Sequence, residues 1–456
     1  MTTIWAERAL LPDGWAENIQ VDLAPDGRIA AIHRGATPDS GAHRVELLLP
    51  AMSNLHSHAF QRAMAGLSEA RGPHPRDTFW TWRQIMYRFL DHLTPDDVQA
   101  IAALVQMEML EAGYATNVEF HYLHHRPDGG FYDDIAEMAG RIAAAASRTG
   151  IGLTLLPVHY QFGGVDRRPL GPGQRRFGTT PDDFIRLLDA SEQVLRGLPA
   201  DAGIGVAPHS LRAVSPEALA LCVDLRPGRP LHMHLAEQIP EIDEVQAAYG
   251  RRPVEWLLDN HTPDRRWTLI HLTHMTVDET RRLATTGAVA GLCPITESSL
   301  GDGIFNATIW QEAGGRLGFG SDSNIRISLI EELRTLEYSQ RLRDTARAIL
   351  AQPERSTGRV ILDAGLDGGA TAAGRDTGAI REGLWADLCA VSLRNPAMFG
   401  RKGDEMLDSL IFAGGEGLVR DVWAAGRHVV RDGRHMDRDG IIADYLTCIS
   451  GLQERM

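Results

Sequence analysis

The chain has 456 residues, too many for one small domain, and its 43% hydrophobic and 23% charged content is that of an ordinary soluble globular protein. Its formal net charge of -14 opposes phosphate backbones and anionic bilayers, so neither nucleic acid nor a membrane is expected as a partner. No apolar run approaches the ~20 residues that span a bilayer, MTTIWAERALLPDGW does not read as a signal peptide, and Cys222, Cys293, Cys389 and Cys448 are scattered, so a reduced cytoplasmic setting is expected.

Residues 1–48 read as short strands joined by turns. In DGRIAAIHRG an Asp-Gly turn precedes alternating apolar positions, a hairpin signal. The stretch 381–456, with ADLCAVSL and GRHVVRDGRH, has the same β-like texture. The two ends are expected to build one composite β-sandwich domain. Between them, in 49–380, short apolar runs alternate with amphipathic segments. The runs are LLLPAM, ATNVEF, IGLTLLPV, GIGVAP, PLHMHL, WTLIHL, AVAGLC and RLGFGSD; DDVQAIAALVQMEMLEAG and PDDFIRLLDASEQVLRGL have helical spacing. Eight strands alternating with helices give the α/β class and a (β/α)8 TIM-type barrel.

Ionisable residues collect just after these runs: His56 and His58, Tyr122, His159, His209 and Arg212, His234 and Glu237, His271, and Asp322. In a barrel those positions form one rim, where the chemistry occurs. An open doubly wound sheet would not gather residues from the first strand to the last. His56 and His58 are two apart, so on an extended strand end both face one way. Three imidazoles (His56, His58, His234) and the Asp322 carboxylate suit zinc and leave a position for water. His232 is read as a packing residue, His274 as structural, and His121, His124 and His125 as solvent-facing chain rather than a second metal cluster.

Together, LPAMSNLHSHAF, APHS, HMHLAE, LIHLTHM, GSDSN and GAIREGLWADLCAV resemble the amidohydrolase superfamily along nearly the whole chain. NLHSHAFQRAMAGL, FWTWRQIMYRF, FHYLHH and PHSLRAV are most similar to its mononuclear deaminase branch; Ala51 departs from the glycine usual in that family's LPG. The resemblance implies one Zn2+ per chain on His56, His58, His234 and Asp322. It implies acid–base roles for Glu237, His271 and Asp322, and substrate contacts at Gln61, Arg83, Tyr122, His209 and Arg212. It implies hydrolytic deimination of N-formimidoyl-L-glutamate by a homodimer. Many two-metal relatives bridge their ions with a carbamylated lysine, and the only lysine here, Lys402, lies beyond the barrel. Arg83 and Arg212 suit a substrate with carboxylates, since a guanidinium binds carboxylate through two prongs. An aromatic-base deaminase, acting on guanine or an adenosine derivative, is the enzyme alternative. A non-catalytic barrel would be expected to have lost a ligand or Glu237, and none is missing.

Overall fold

The apolar run LLLPAM is not one strand. It divides at Ala51, whose N–H donates to the Asp387 carbonyl. His43–Pro50 belongs to a sheet built from both chain ends, and Met52–Ser57 opens a barrel. The structure, a computed structural model, describes residues 2–69, 77–415 and 417–456.

The barrel strands are Met52–Ser57, Tyr114–His121, Gly152–His159, a short fourth, Leu231–Leu235, Trp267–His271, Val289–Leu292 and Arg316–Phe319. The fourth is broken into Gly203–Ile204 and Ala207–Pro208, both paired with Gly152–His159. All neighbours run parallel. Bridges from Val206 to Leu231 and Ser210 to His234 join the two halves, and a bridge from Ser57 to Asp322 closes the ring. The expected barrel is therefore present.

Its closure depends on glycines in the helix Thr357–Ala373, which lies against the first and last strands. A Cβ added at Gly368 would fall 1.9 Å from the Leu317 carbonyl oxygen, and one at Gly369 would fall 3.0 Å from that of Ser53. Backbone cannot yield as a side chain does, so Gly368→Ala is expected to cost ~1–3 kcal/mol. A denaturation midpoint unchanged from the wild type would contradict this packing.

The eight-stranded sheet runs Arg434–His435, Arg427–Arg431, Val419–Ala424, Leu388–Val391, His43–Pro50, Thr2–Leu11, Gly14–Leu23, Ile29–Arg34. Ile4, Ile19, Val21, Leu48, Leu388 and Trp423 share one core, so strands from both chain ends build one sheet around common buried residues. At its rim the imidazoles of His43 and His428 sit 3.2 and 2.8 Å from one Asp421 oxygen, a cluster closed by its own hydrogen bonds. Arg375, buried between Asp201 and Asp387 at 3.1 Å from each, ties the sheet to the barrel.

The end of the chain is not β-like throughout. Arg438–Arg455 is a helix that buries Ile441, Cys448 and Leu452. These fall at helical spacing, and Arg455 reaches Asp97 at 2.6 Å on the helix Pro95–Glu111. No described helix is long and apolar enough to cross a membrane.

Candidate metal centre and active site

The first and last barrel strands bring three of the four candidate ligands together through backbone pairing. The His58 N–H donates to the Asp322 carbonyl and the Asp322 N–H to the His56 carbonyl, each at 2.9 Å. Gly320 makes the approach possible, because a Cβ there would lie 2.7 Å from the His56 Cβ. Behind them Asn54 and Asn324 fasten Ser321, Ser57 and the His58 carbonyl by side-chain hydrogen bonds. His234 arrives from the fifth strand.

His56 Nε2 lies 3.1 Å from His58 Nε2 and 3.2 Å from His234 Nε2. Asp322 Oδ1 lies 3.2 Å from His58 Nε2 and 3.5 Å from His56 Nε2. The outer nitrogens decide what these atoms are. His58 Nδ1 faces the Phe120 carbonyl at 2.9 Å and His234 Nδ1 the His209 carbonyl at 3.2 Å. A carbonyl only accepts, so both Nδ1 atoms carry hydrogen, and Nε2 is the lone-pair atom of each ring in its neutral form. Burial, then the neighbouring His58, pushes the His56 imidazolium down to about 3. Burial, then His56, holds His234 well below its usual range. Although burial raises a carboxyl pKa, His56 and His58 hold Asp322 well below the usual carboxylate range. Buried lone pairs converging on one point repel unless a cation lies among them, so this donor set fits a metal ion. A metal there is favoured by chemistry as well as by spacing.

Glu237 follows His234 across a strained turn. Ala236 has φ of 54° and is held because the Ala236 and Glu237 N–H groups both donate to the buried Glu241 carboxylate, each at 3.1 Å. Thr273 Oγ1 donates to the Glu237 carbonyl at 2.8 Å. His271 and Leu272, with φ of 73° and 55°, and Asp322, with φ of 46°, put further left-handed backbone at the same rim. His271 Nε2 lies 3.8 Å from Glu237 and 3.9 Å from Asp322, with Nδ1 on Glu297 at 3.3 Å. Burial lowers its basicity, but Glu237 and the Glu297 hydrogen bond outweigh this and raise it to about 10.

The cavity over these groups is lined by Gln61, Arg83, Tyr122, Tyr160, His209 and Arg212, among others. Gln61 donates to the Tyr122 hydroxyl at 2.7 Å. Arg83 comes from the helix Phe79–Leu90 and lies over the rings of Trp80 and Tyr87 at 5.4 and 5.2 Å. Arg212 Nη2 lies 3.3 Å from Glu237 Oε2, so it reaches the acid–base carboxylate as well as the cavity. His209 stacks on His234 at 4.9 Å.

Two expectations are corrected. His121, His124 and His125 are buried rather than solvent-facing, at 3, 1 and 2% exposure. The segment after them folds back, so that His124 Nε2 reaches the Val158 carbonyl and His125 Nε2 that of Gly178. His159 turns away from the cavity to stack on Phe184 and meet Thr179 Oγ1 at 2.7 Å. Tyr160, one residue on, faces the site instead. His232 Nε2 bonds the Ala372 carbonyl at 2.8 Å, as a packing residue should.

Residues 47–429 match the model of the Amidohydrolase family, and residues 1–46 that of the formimidoylglutamate deiminase HutF N-terminal domain. The chain belongs to the amidohydrolase family. It is 48% identical over 437 residues to the formimidoylglutamate deiminase of Pseudomonas aeruginosa, a match covering 95% of this chain and 96% of that one. It is 28% identical over 447 residues to the 8-oxoguanine deaminase of the same organism, covering 94% of each. Among solved structures, an amidohydrolase from Brucella melitensis superposes with a TM-score of 0.95 at 47% identity, over 99% of this chain and 100% of that one. An adenosine deaminase from Xanthomonas campestris with bound zinc gives 0.82 at 22% identity, over 99% and 98%, a likeness of fold alone.

Proposed function

We propose that the chain hydrolyses N-formimidoyl-L-glutamate to N-formyl-L-glutamate and ammonia, a step of histidine degradation, with one zinc ion held by His56, His58, His234 and Asp322. One observation carries the choice of substrate. Arg83 is a cation in the cavity that no described carboxylate reaches, its hydrogen-bond partner being the Tyr160 hydroxyl at 2.9 Å. A cation in a mostly apolar pocket invites an anionic ligand. Glu237 and Asp322 line the same cavity and suit the cationic amidinium. The cavity thus offers charges of both signs, as the substrate does.

A zinc ion at the four ligands supplies Lewis acidity that brings the pKa of a water molecule toward neutrality. Arg83 and Arg212 hold the glutamate carboxylates, with Gln61, Tyr122 and His209 shaping the wall. Asp322 Oδ2 accepts a proton from the attacking water. His271 Nε2, between Glu237 and Asp322, orients that water and stabilises developing charge. Attack leaves the former amidine carbon with one oxygen and two nitrogens. Glu237 takes the remaining proton of the added oxygen and passes it to the terminal nitrogen as the carbon–nitrogen bond breaks, so ammonia leaves rather than glutamate. Hydrolysis in 18O-labelled water should place one labelled oxygen in the formyl group and release one ammonia per turnover. Release of glutamate with formamide would contradict the assigned direction of cleavage.

We expect one tightly bound zinc per chain. Beside the four ligands, His271, Cys293 and Glu297 also converge. Burial holds the Cys293 thiol well above its usual range, so it stays protonated and is a poor ligand. The only lysine, Lys402, is exposed outside the barrel. Two equivalents retained at full activity after desalting would contradict a mononuclear site.

A further inference from the structure

The hydrogen-bond capacity of Tyr160 leaves one proton unaccounted for. A tyrosine hydroxyl donates one hydrogen and accepts through its lone pairs. Arg83 Nη2 and Gln174 Nε2 each approach the Tyr160 hydroxyl at 2.9 Å. A guanidinium can only donate. The amide of Gln174 is oriented by the Gly171 N–H, which donates to its Oε1 at 2.9 Å, so its Nε2 is a donor too. The hydroxyl oxygen therefore accepts twice, and its own hydrogen has no acceptor among the described residues. Tyr160 is only 3% exposed, and a buried donor left unpaired costs free energy.

The ring is fixed in place. Its backbone N–H reaches Thr179 Oγ1 at 3.2 Å, its carbonyl accepts from the Thr179 N–H at 2.9 Å, and it packs edge-on against His209 at 4.6 Å. The turn that carries Gln174 sits so close to Tyr87 that a Cβ on Gly173 would lie 2.3 Å from its ring.

We propose that Tyr160, held by Arg83 and Gln174, donates its hydroxyl hydrogen to one carboxylate of the substrate. This makes it a substrate-binding residue alongside Arg83. The inference rests on the reading of a glutamate-derived substrate. A carboxylate has two oxygens in one plane, so it can take an N–H from Arg83 on one and the Tyr160 O–H on the other. The hydroxyl thereby distinguishes an acceptor-only anion from an amide, whose N–H would face another donor.

Calorimetry with the reaction product tests this without relying on turnover. The probes are N-formyl-L-glutamate, N-formyl-L-norvaline, which lacks the side-chain carboxylate, and 4-formamidobutanoate, which lacks the α-carboxylate. Tyr160→Phe should bind N-formyl-L-glutamate about ten- to one-hundred-fold more weakly than the wild type. It should lose the same factor on one of the two monocarboxylates and nothing on the other. Equal loss on all three would make Tyr160 a mere support of the loop and overturn the proposal. So would unchanged affinity, or a wild type that does not bind N-formyl-L-glutamate. Turnover of formimidoylglutamate is measured on the wild type in parallel. Its absence, with the binding pattern intact, would sink the proposed reaction and leave the Tyr160 contact standing.

Discussion

Glu237→Gln is expected to lower kcat by ~10²–10⁴-fold, the usual worth of general acid–base catalysis, while zinc content stays at the wild-type level. The side chain is buried at 4% exposure, and its backbone is fastened by Glu241 and Thr273 rather than by its own carboxylate. Glutamine keeps the shape and the turn intact. It also keeps an oxygen available to Arg212, which now lies 3.3 Å from Glu237 Oε2. What it loses is the ability to take and return a proton beside the leaving nitrogen. Steady-state kinetics and metal analysis on the same preparation separate the outcomes. Near-normal turnover would remove Glu237 from the proton path. Loss of zinc would make it a ligand and redraw the metal centre.

Removing both pocket arginines should cost nearly as much. A hydrogen bond to a charged group is worth ~1.5–3 kcal/mol, so Arg83→Met alone should weaken substrate binding roughly ten- to over one-hundred-fold. Arg83 reaches no carboxylate among the described residues, and its loss should therefore appear in KM with kcat largely kept. Arg212 differs, because it pairs with Glu237 and lies 3.9 Å from Glu241. Arg212→Met should raise KM and also lower kcat. The double variant should lose ~10²–10⁴-fold in kcat/KM if the contacts add. A substrate lacking one carboxylate should lose less in one of the single variants. If both variants lost equally in kcat alone, neither arginine would hold substrate, and the aromatic-base alternative would return.

The metal centre was legible because barrel geometry converts strand ends into one rim, because side-chain parity puts His56 and His58 on one face, and because His234 rather than His232 stands three residues before Glu237. The same parity rule would have chosen Tyr160 over His159, but histidine looks more like site chemistry, and Tyr160 acts through a hydroxyl that no motif marks. Glu241, Thr273 and Glu297 were also missed. They act on backbone N–H groups, a backbone carbonyl and the far nitrogen of His271, and such contacts leave no spacing pattern in the chain. The division of LLLPAM was invisible because both halves are apolar and the break is set by a hydrogen bond to Asp387, over three hundred residues away. The helix Arg438–Arg455 was hidden by its weak amphipathicity and by Gly440 and Gly451.

Ammonia release measured on formimidoyl-glutamate, formimidoyl-aspartate, 8-oxoguanine and adenosine puts the substrate assignment to one comparison. The cavity, lined by Arg83 and Arg212 as well as by Glu237 and Asp322, should give formimidoyl-glutamate the highest kcat/KM. Formimidoyl-aspartate, one methylene shorter, should be poorer, because its carboxylates cannot reach the arginines while the amidine sits at Glu237. The two purines should release no ammonia above background. Faster deamination of either purine than of formimidoyl-glutamate would contradict the assignment outright.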